Sequence, residues 1–119
     1  MIAAAYILIL TALAGTPQTR CYQNTEGWKQ QKVAMGVSAT ALAYYDPQMN
    51  YIALGPMACK QVRLPTQYGA YIYAHEIAHW RQDRSNMPYD EDDADERASR
   101  FWPGWLRKLE DYFNRNAKP

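Results

Sequence analysis

A chain of 119 residues has room for one hydrophobic core and not for two ordinary domains. Hydrophobic residues make up 48% of it and charged residues 21%, which excludes the highly charged, core-poor composition of a disordered chain. With 13 Lys and Arg against 12 Asp and Glu the net charge is +1 and the basic residues are scattered, so no nucleic-acid partner is expected.

From Ile2 to Ala14 the chain is apolar apart from Thr11 and ends in Ala12-Leu13-Ala14, a small-x-small pattern suited to signal peptidase. Residues 1–14 therefore read as a signal peptide of an exported protein. The alternative is a buried apolar segment of a cytoplasmic one, because no Lys or Arg precedes Arg20. The run is too short to cross a bilayer comfortably, so no stable membrane anchor is expected. Residues 15–119 are then one domain. Cys21 and Cys59 are too few for a disulfide scaffold and lack the spacing of a metal knuckle. In an exported protein one disulfide between them is the simplest reading, with two free buried thiols as the alternative.

Gly15 to Gln31 reads as a polar connection. The stretches Ala39 to Tyr45 and Tyr51 to Leu54 flank the turn formers Asp46-Pro47-Gln48-Met49-Asn50, which predicts a β-hairpin. Gly55-Pro56 stops the second strand, and a proline there suits an edge strand. Thr66 is a helix N-cap, and nothing breaks the pattern until Ser85-Asn86-Met87-Pro88, so a helix is predicted over roughly Gln67 to Arg84. Asp90, with Asp93 three residues on, starts a second helix that runs to about Phe101 before Trp102-Pro103-Gly104 ends it. Trp105, Leu106, Leu109, Tyr112 and Phe113 recur at helical spacing and predict a third helix whose apolar face is core packing.

The chemistry lies in His75-Glu76-Ile77-Ala78-His79. Residues four apart project from one face of a helix, so both histidines can aim a ring nitrogen at one zinc ion. Glu76, about 100° around the helix from His75, points beside the metal at the water of an open coordination position, where it is the natural general base. A catalytic zinc normally takes three protein ligands. Ser85 stands where a metzincin would carry its third histidine and Gln82 where it would carry a glycine, which excludes that subclass. On the next helix Glu91 and Asp95 are four apart. Glu91 is the preferred third ligand and Asp95 the carboxylate that accepts a hydrogen bond from the other ring N–H of a histidine. Asp90, Asp92 and Asp93 are alternative ligands, although acidic residues in a first helical turn need no metal to explain them. Trp80 and Trp102 read as core or rim packing.

His75-Glu76-Ile77-Ala78-His79-Trp80 followed by Glu91-Asp92-Asp93-Ala94-Asp95 resembles the gluzincin metallopeptidases, with HExxH on one helix and ExxxD on the next. The Glu-x-x-Ala-Asp form is most similar to the HtpX and CAAX-prenyl endopeptidase class and to minimal gluzincin domains. The resemblance spans roughly Tyr44 to Phe101. It implies His75, His79 and Glu91 as ligands of Zn2+, Glu76 as catalytic base and Asp95 as support for a histidine. It also implies that a peptide or protein substrate lies along an edge strand at Tyr51 to Leu54, held by backbone pairing. The connection from His79 to Glu91 is shorter than in most of these enzymes, and Tyr89 and Arg97 are the nearby candidates for an oxyanion donor.

The expected fold is α+β: a small zincin-like domain with a short antiparallel sheet or hairpin on an active-site helix, a second ligand-bearing helix and a C-terminal helix. The expected function is zinc-dependent hydrolysis of peptide bonds by an endopeptidase. A zinc-binding structural or interaction domain without turnover, and a zinc amidase acting on a non-peptide amide, are the alternatives. Retention of Glu76 favours an enzyme, since a structural zinc needs no base.

Overall fold

In the computed structural model, which describes residues 6–10 and 15–116, the elements in chain order are β1 (Ile7–Leu10), β2 (Gln18–Cys21), α1 (Thr25–Met35), β3 (Ala43–Asp46), β4 (Tyr51–Leu54), α2 (Pro56–Arg63), α3 (Gln67–Arg84) and α4 (Glu91–Asn116). Four helices and one mixed four-stranded sheet make the fold α+β. The chain divides into two compact units, Met1–Cys59 and Lys60–Pro119.

The first unit is built on the sheet, in the order β1-β2-β4-β3. β3 and β4 form the hairpin that the turn residues predict, with Asp46 opposite Tyr51. Asp46 makes the turn locally: its Oδ1 accepts from the backbone N–H of Gln48 and Met49, at 2.8 and 3.1 Å. Asn50 takes the left-handed conformation (φ 55°) that asparagine tolerates better than most residues.

The edge-strand expectation for Tyr51 to Leu54 is wrong. β4 pairs antiparallel with β3 on one side and parallel with β2 on the other, and all four of its residues are buried. Its backbone groups are already paired, so a substrate peptide has no free edge there. Pro56 lies beyond the strand and opens α2, where a missing N–H costs nothing. The expected antiparallel sheet or hairpin is present as β3–β4, and the parallel β2–β4 pairing makes the whole sheet mixed.

β2 and α1 both occupy the stretch read as a polar connection. β2 is only Gln-Thr-Arg-Cys, with Thr19 and Cys21 turned inward. α1 buries just Trp28 and Lys32, so its apolar face is too thin to show as a periodicity. It is set instead by its ends: Asn24 caps it, accepting from Gly27 N–H at 2.9 Å, and Gly36 closes it at φ 68°. Trp28 stacks on Tyr44 (centroids 5.7 Å) within a core that also holds Tyr22, Tyr51 and Ala53. The Tyr44 and Tyr51 hydroxyls meet at 2.9 Å, and Gln31 donates to Tyr44 at 2.8 Å. Cys21 and Cys59 form a disulfide across Cα atoms 5.6 Å apart. Of the apolar run at 2–14, Ile7–Leu10 is strand β1, with Leu10 buried and Ile7 and Leu8 exposed; the cleavage pattern at Ala12-Leu13-Ala14 lies outside the described residues.

The second unit is built on α3 and α4. The Thr66 hydroxyl caps α3, accepting from Gly69 N–H at 2.9 Å. A side chain at Gly69 would strike the carbonyl of Gln61, so glycine lets α3 start close against that backbone. Asp90 caps α4, its carboxylate accepting from Asp93 N–H at 3.0 Å. The two helices expected on either side of Pro103 are one: α4 runs on to Asn116. Proline removes one backbone bond and strains the turn before it, at a cost of about 3 kcal/mol. Ala94, Ala98, Trp105 and Leu109 nevertheless keep one buried face in phase across Pro103. Burying Trp105 and Leu109 contributes about 1.5–3 kcal/mol each, enough to offset the proline. Trp105 packs edge-on against Tyr73 of α3, with ring centroids 5.3 Å apart. Among the described residues no helix is long and apolar enough to cross a membrane.

Candidate metal centre

One turn of α3 separates His75 from His79, and their Nε2 atoms face each other at 3.2 Å. Glu91, the first residue of α4, places Oε1 3.0 Å from Nε2 of His75 and 2.6 Å from Nε2 of His79. Asp90, Asp92 and Asp93 do not join this group. Asp90 caps the helix, and Asp93 binds Gln82 and the Arg97 guanidinium.

The short connection from His79 to Glu91 is closed by Gln82. Its Nε2 donates to the Asp90 carbonyl and to Asp93 Oδ2, both at 2.9 Å, and its Oε1 accepts from Asp90 N–H at 3.2 Å. The backbone carbonyl of Gln82 also accepts from Met87 N–H, and Asn86 turns the chain at φ 56°. Gln82, 1% exposed, therefore latches the start of α4 to the end of α3.

The same network settles the tautomers. Gln82 Oε1 is an acceptor and sits 2.9 Å from Nδ1 of His79, so that nitrogen carries the proton. Asp95 Oδ1 lies 2.8 Å from Nδ1 of His75, which is protonated for the same reason. In the neutral imidazoles Nε2 then carries the lone pair, and the two Nε2 atoms converge with Oε1 of Glu91 on one point. Ligands about 2.0–2.1 Å from a tetrahedral ion lie about 3.3 Å apart; the 3.2 and 3.0 Å edges found here are close to that, and the 2.6 Å edge between His79 and Glu91 would have to open. His75, His79 and Glu91 are a group that could hold a metal ion. His79 is buried while the Glu91 side chain is 61% exposed, which leaves the group open to solvent on the Glu91 side.

Glu76 is buried, and no side chain among the described residues pairs with its carboxyl. Burial, and then the negative charge of Glu91, push its pKa up to about 8. The Tyr89 ring lies flat on His79, centroids 4.0 Å apart and planes within 2°. Its hydroxyl is raised to about 12 by burial and by the charges of Glu91 and Glu76. Of the two oxyanion candidates only Tyr89 is at the centre, since the Arg97 guanidinium is held by Asp93. Trp80 is half-buried under the Arg84 guanidinium.

Two residues here went unread in the sequence. Gln82 lies three positions after His79, and Tyr71, four before His75, donates to Asp95 Oδ1 at 3.3 Å. Helical spacing from the histidines is the signal that would have found both. Comparison with models of protein families, with curated proteins and with solved structures returns no match.

Proposed function

We propose that the chain is a zinc metallopeptidase in which His75, His79 and Glu91 hold the ion and Glu76 is the general base. The observation that supports the reading is the convergence of Nε2 of His75, Nε2 of His79 and Oε1 of Glu91, with the Nδ1 sides of both imidazoles turned to Asp95 and Gln82. Two imidazoles and one carboxylate, with a fourth position open, are a donor set suited to catalytic zinc. Bound zinc would lower the pKa of water to about 7.

The protein's own groups supply the rest. Glu76 takes the proton of the attacking water and returns it to the leaving amine, a role that suits a buried carboxyl next to His75 in sequence with no side-chain partner of its own among the described residues. Tyr89 keeps its proton throughout the neutral range and hydrogen-bonds Glu91, so it could serve a developing oxyanion by exchanging that partner. Asp95 and Gln82 hold the two imidazoles by their Nδ1 protons. A purely structural zinc would close its fourth position and would not need a buried, unpaired Glu76. The Cys21–Cys59 disulfide suits an oxidising compartment, which supports export.

The test is metal content by mass spectrometry together with cleavage of a mixed peptide library. Wild type should carry one zinc and cleave; Glu76→Gln should keep the zinc and lose cleavage by a factor of about 100 or more. Metal-free protein purified without chelators would overturn the metal site, and full activity in Glu76→Gln would overturn the base.

A further inference from the structure

A pocket of about 280 Å3 in the first unit shares no residue with the metal centre. Its lining includes Trp28, Lys32, Ala41, Leu42, Met57 and Ala58. Lys32 is only 7% exposed, and its ammonium donates to the carbonyls of Ala39 and Ala41. An ammonium carries three donors, and among the described residues this one meets, besides those two carbonyls, only the Trp28 ring at 5.5 Å and no carboxylate. A buried positive charge with only neutral partners is costly.

The start of α2 adds a second set of donors. Gly55 has no side chain with which to cap it, and a Cβ at Gly55 would run into the Trp28 indole, so no capping residue fits. Pro56 has no N–H, and the first turn holds no acidic residue. The N–H groups of Met57 and Ala58 are therefore the orphans of this helix end, without a partner among the described residues. Both residues line the pocket, and Ala58 is fully buried.

We propose that this pocket binds a small carboxylate with an apolar body. Both donor sets line the same pocket, so the carboxylate would be met by the Lys32 ammonium and by the amides at the start of α2. The body packs on Trp28, Leu42 and Met57. One full positive charge suits a monoanion, and besides Lys32 the side chains of the lining are apolar apart from Thr25 and Thr40, which favours an apolar body over a phosphate. A Lys32 that only braced the 37–42 loop would leave the α2 amides indifferent to added anions.

The probe is phenylacetate, titrated into the full-length chain and followed by amide and indole NMR shifts. Saturable shifts at Met57, Ala58 and the Trp28 indole are expected, with none from phenylacetamide and weaker ones from inorganic phosphate. Lys32→Met should weaken phenylacetate by about tenfold or more. Met57→Trp, which fills the pocket and leaves Lys32 in place, should abolish the shifts in a folded protein. Wild type that shows no shifts with phenylacetate, responds equally to phenylacetamide, or binds phosphate as tightly would overturn the proposal. So would Met57→Trp protein that still binds.

Discussion

Replacing Gln82 by Met keeps the length of the side chain and deletes its polar head, removing four contacts at once: to His79 Nδ1, to the carbonyl and N–H of Asp90, and to Asp93 Oδ2. Net hydrogen bonds contribute about 1 kcal/mol each, and a buried N–H left without an acceptor costs about 1–3 kcal/mol, here the Nδ1–H of His79. Some of the four partners regain water, so Gln82→Met should destabilise the metal-free protein by about 3 kcal/mol. A histidine that has lost its orienting partner typically loses about 10- to 100-fold in metal affinity. Urea unfolding without metal gives the first quantity, and zinc competition against a chromogenic chelator gives the second. The sharper variant is Gln82→Glu, which still offers His79 an acceptor but sets a carboxylate against Asp93. It should lose stability while retaining more zinc affinity than Gln82→Met. If Gln82→Met binds zinc as wild type does, the latch and the tautomer assignment built on it are wrong.

Removing the disulfide as Cys21→Ser with Cys59→Ser should lower stability by about 4 kcal/mol for a loop of 38 residues, read as a fall in urea midpoint. An unchanged midpoint would show that the bridge does not form. Burial, with the hydrogen bond that Tyr44 donates to Tyr51, holds the Tyr44 hydroxyl far above its ordinary pKa of 10. A folded pKa above the unfolded one gives stability that is complete below pH 10 and lost as pH rises, because the unfolded chain releases its proton first. Stability should fall above pH 10 by up to about 1.4 kcal/mol per pH unit, and Tyr44→Phe should flatten that fall. Pro103→Ala restores the N–H to a continuous helix and should raise thermal stability by about 1–3 kcal/mol; no gain in a melting scan would mean that α4 is interrupted at Pro103.

What was legible in the sequence was whatever depends on local periodicity. His75 and His79 share a face because a helix has 3.6 residues per turn, and Thr66 and Asp90 announce helix starts through capping chemistry that acts over three residues. Asp46 and Asn50 mark the hairpin for the same reason. The misses involve partners distant in sequence. Four residues cannot declare β2 until β4 lies beside it, and α1 hides because its inward face is little more than Trp28 and the stem of Lys32. Pro103 reads as a stop because the intrinsic cost of proline is visible in the sequence, whereas the burial of Trp105 and Leu109 that outweighs it is not. Gln82 is unremarkable as a residue type, and its importance appears only when α4 turns back onto α3.

Loops usually absorb insertions with little consequence. The segment between α3 and α4 is different, because His79 before it and Glu91 after it, 12 residues apart, belong to the group that could hold a metal ion. One extra residue would have to bulge outward or turn α4 by about 100°, swinging Glu91 off the two histidines. The connection therefore works as a ruler and not as a tether: its length is as much a part of the coordination geometry as the side chains it brings together.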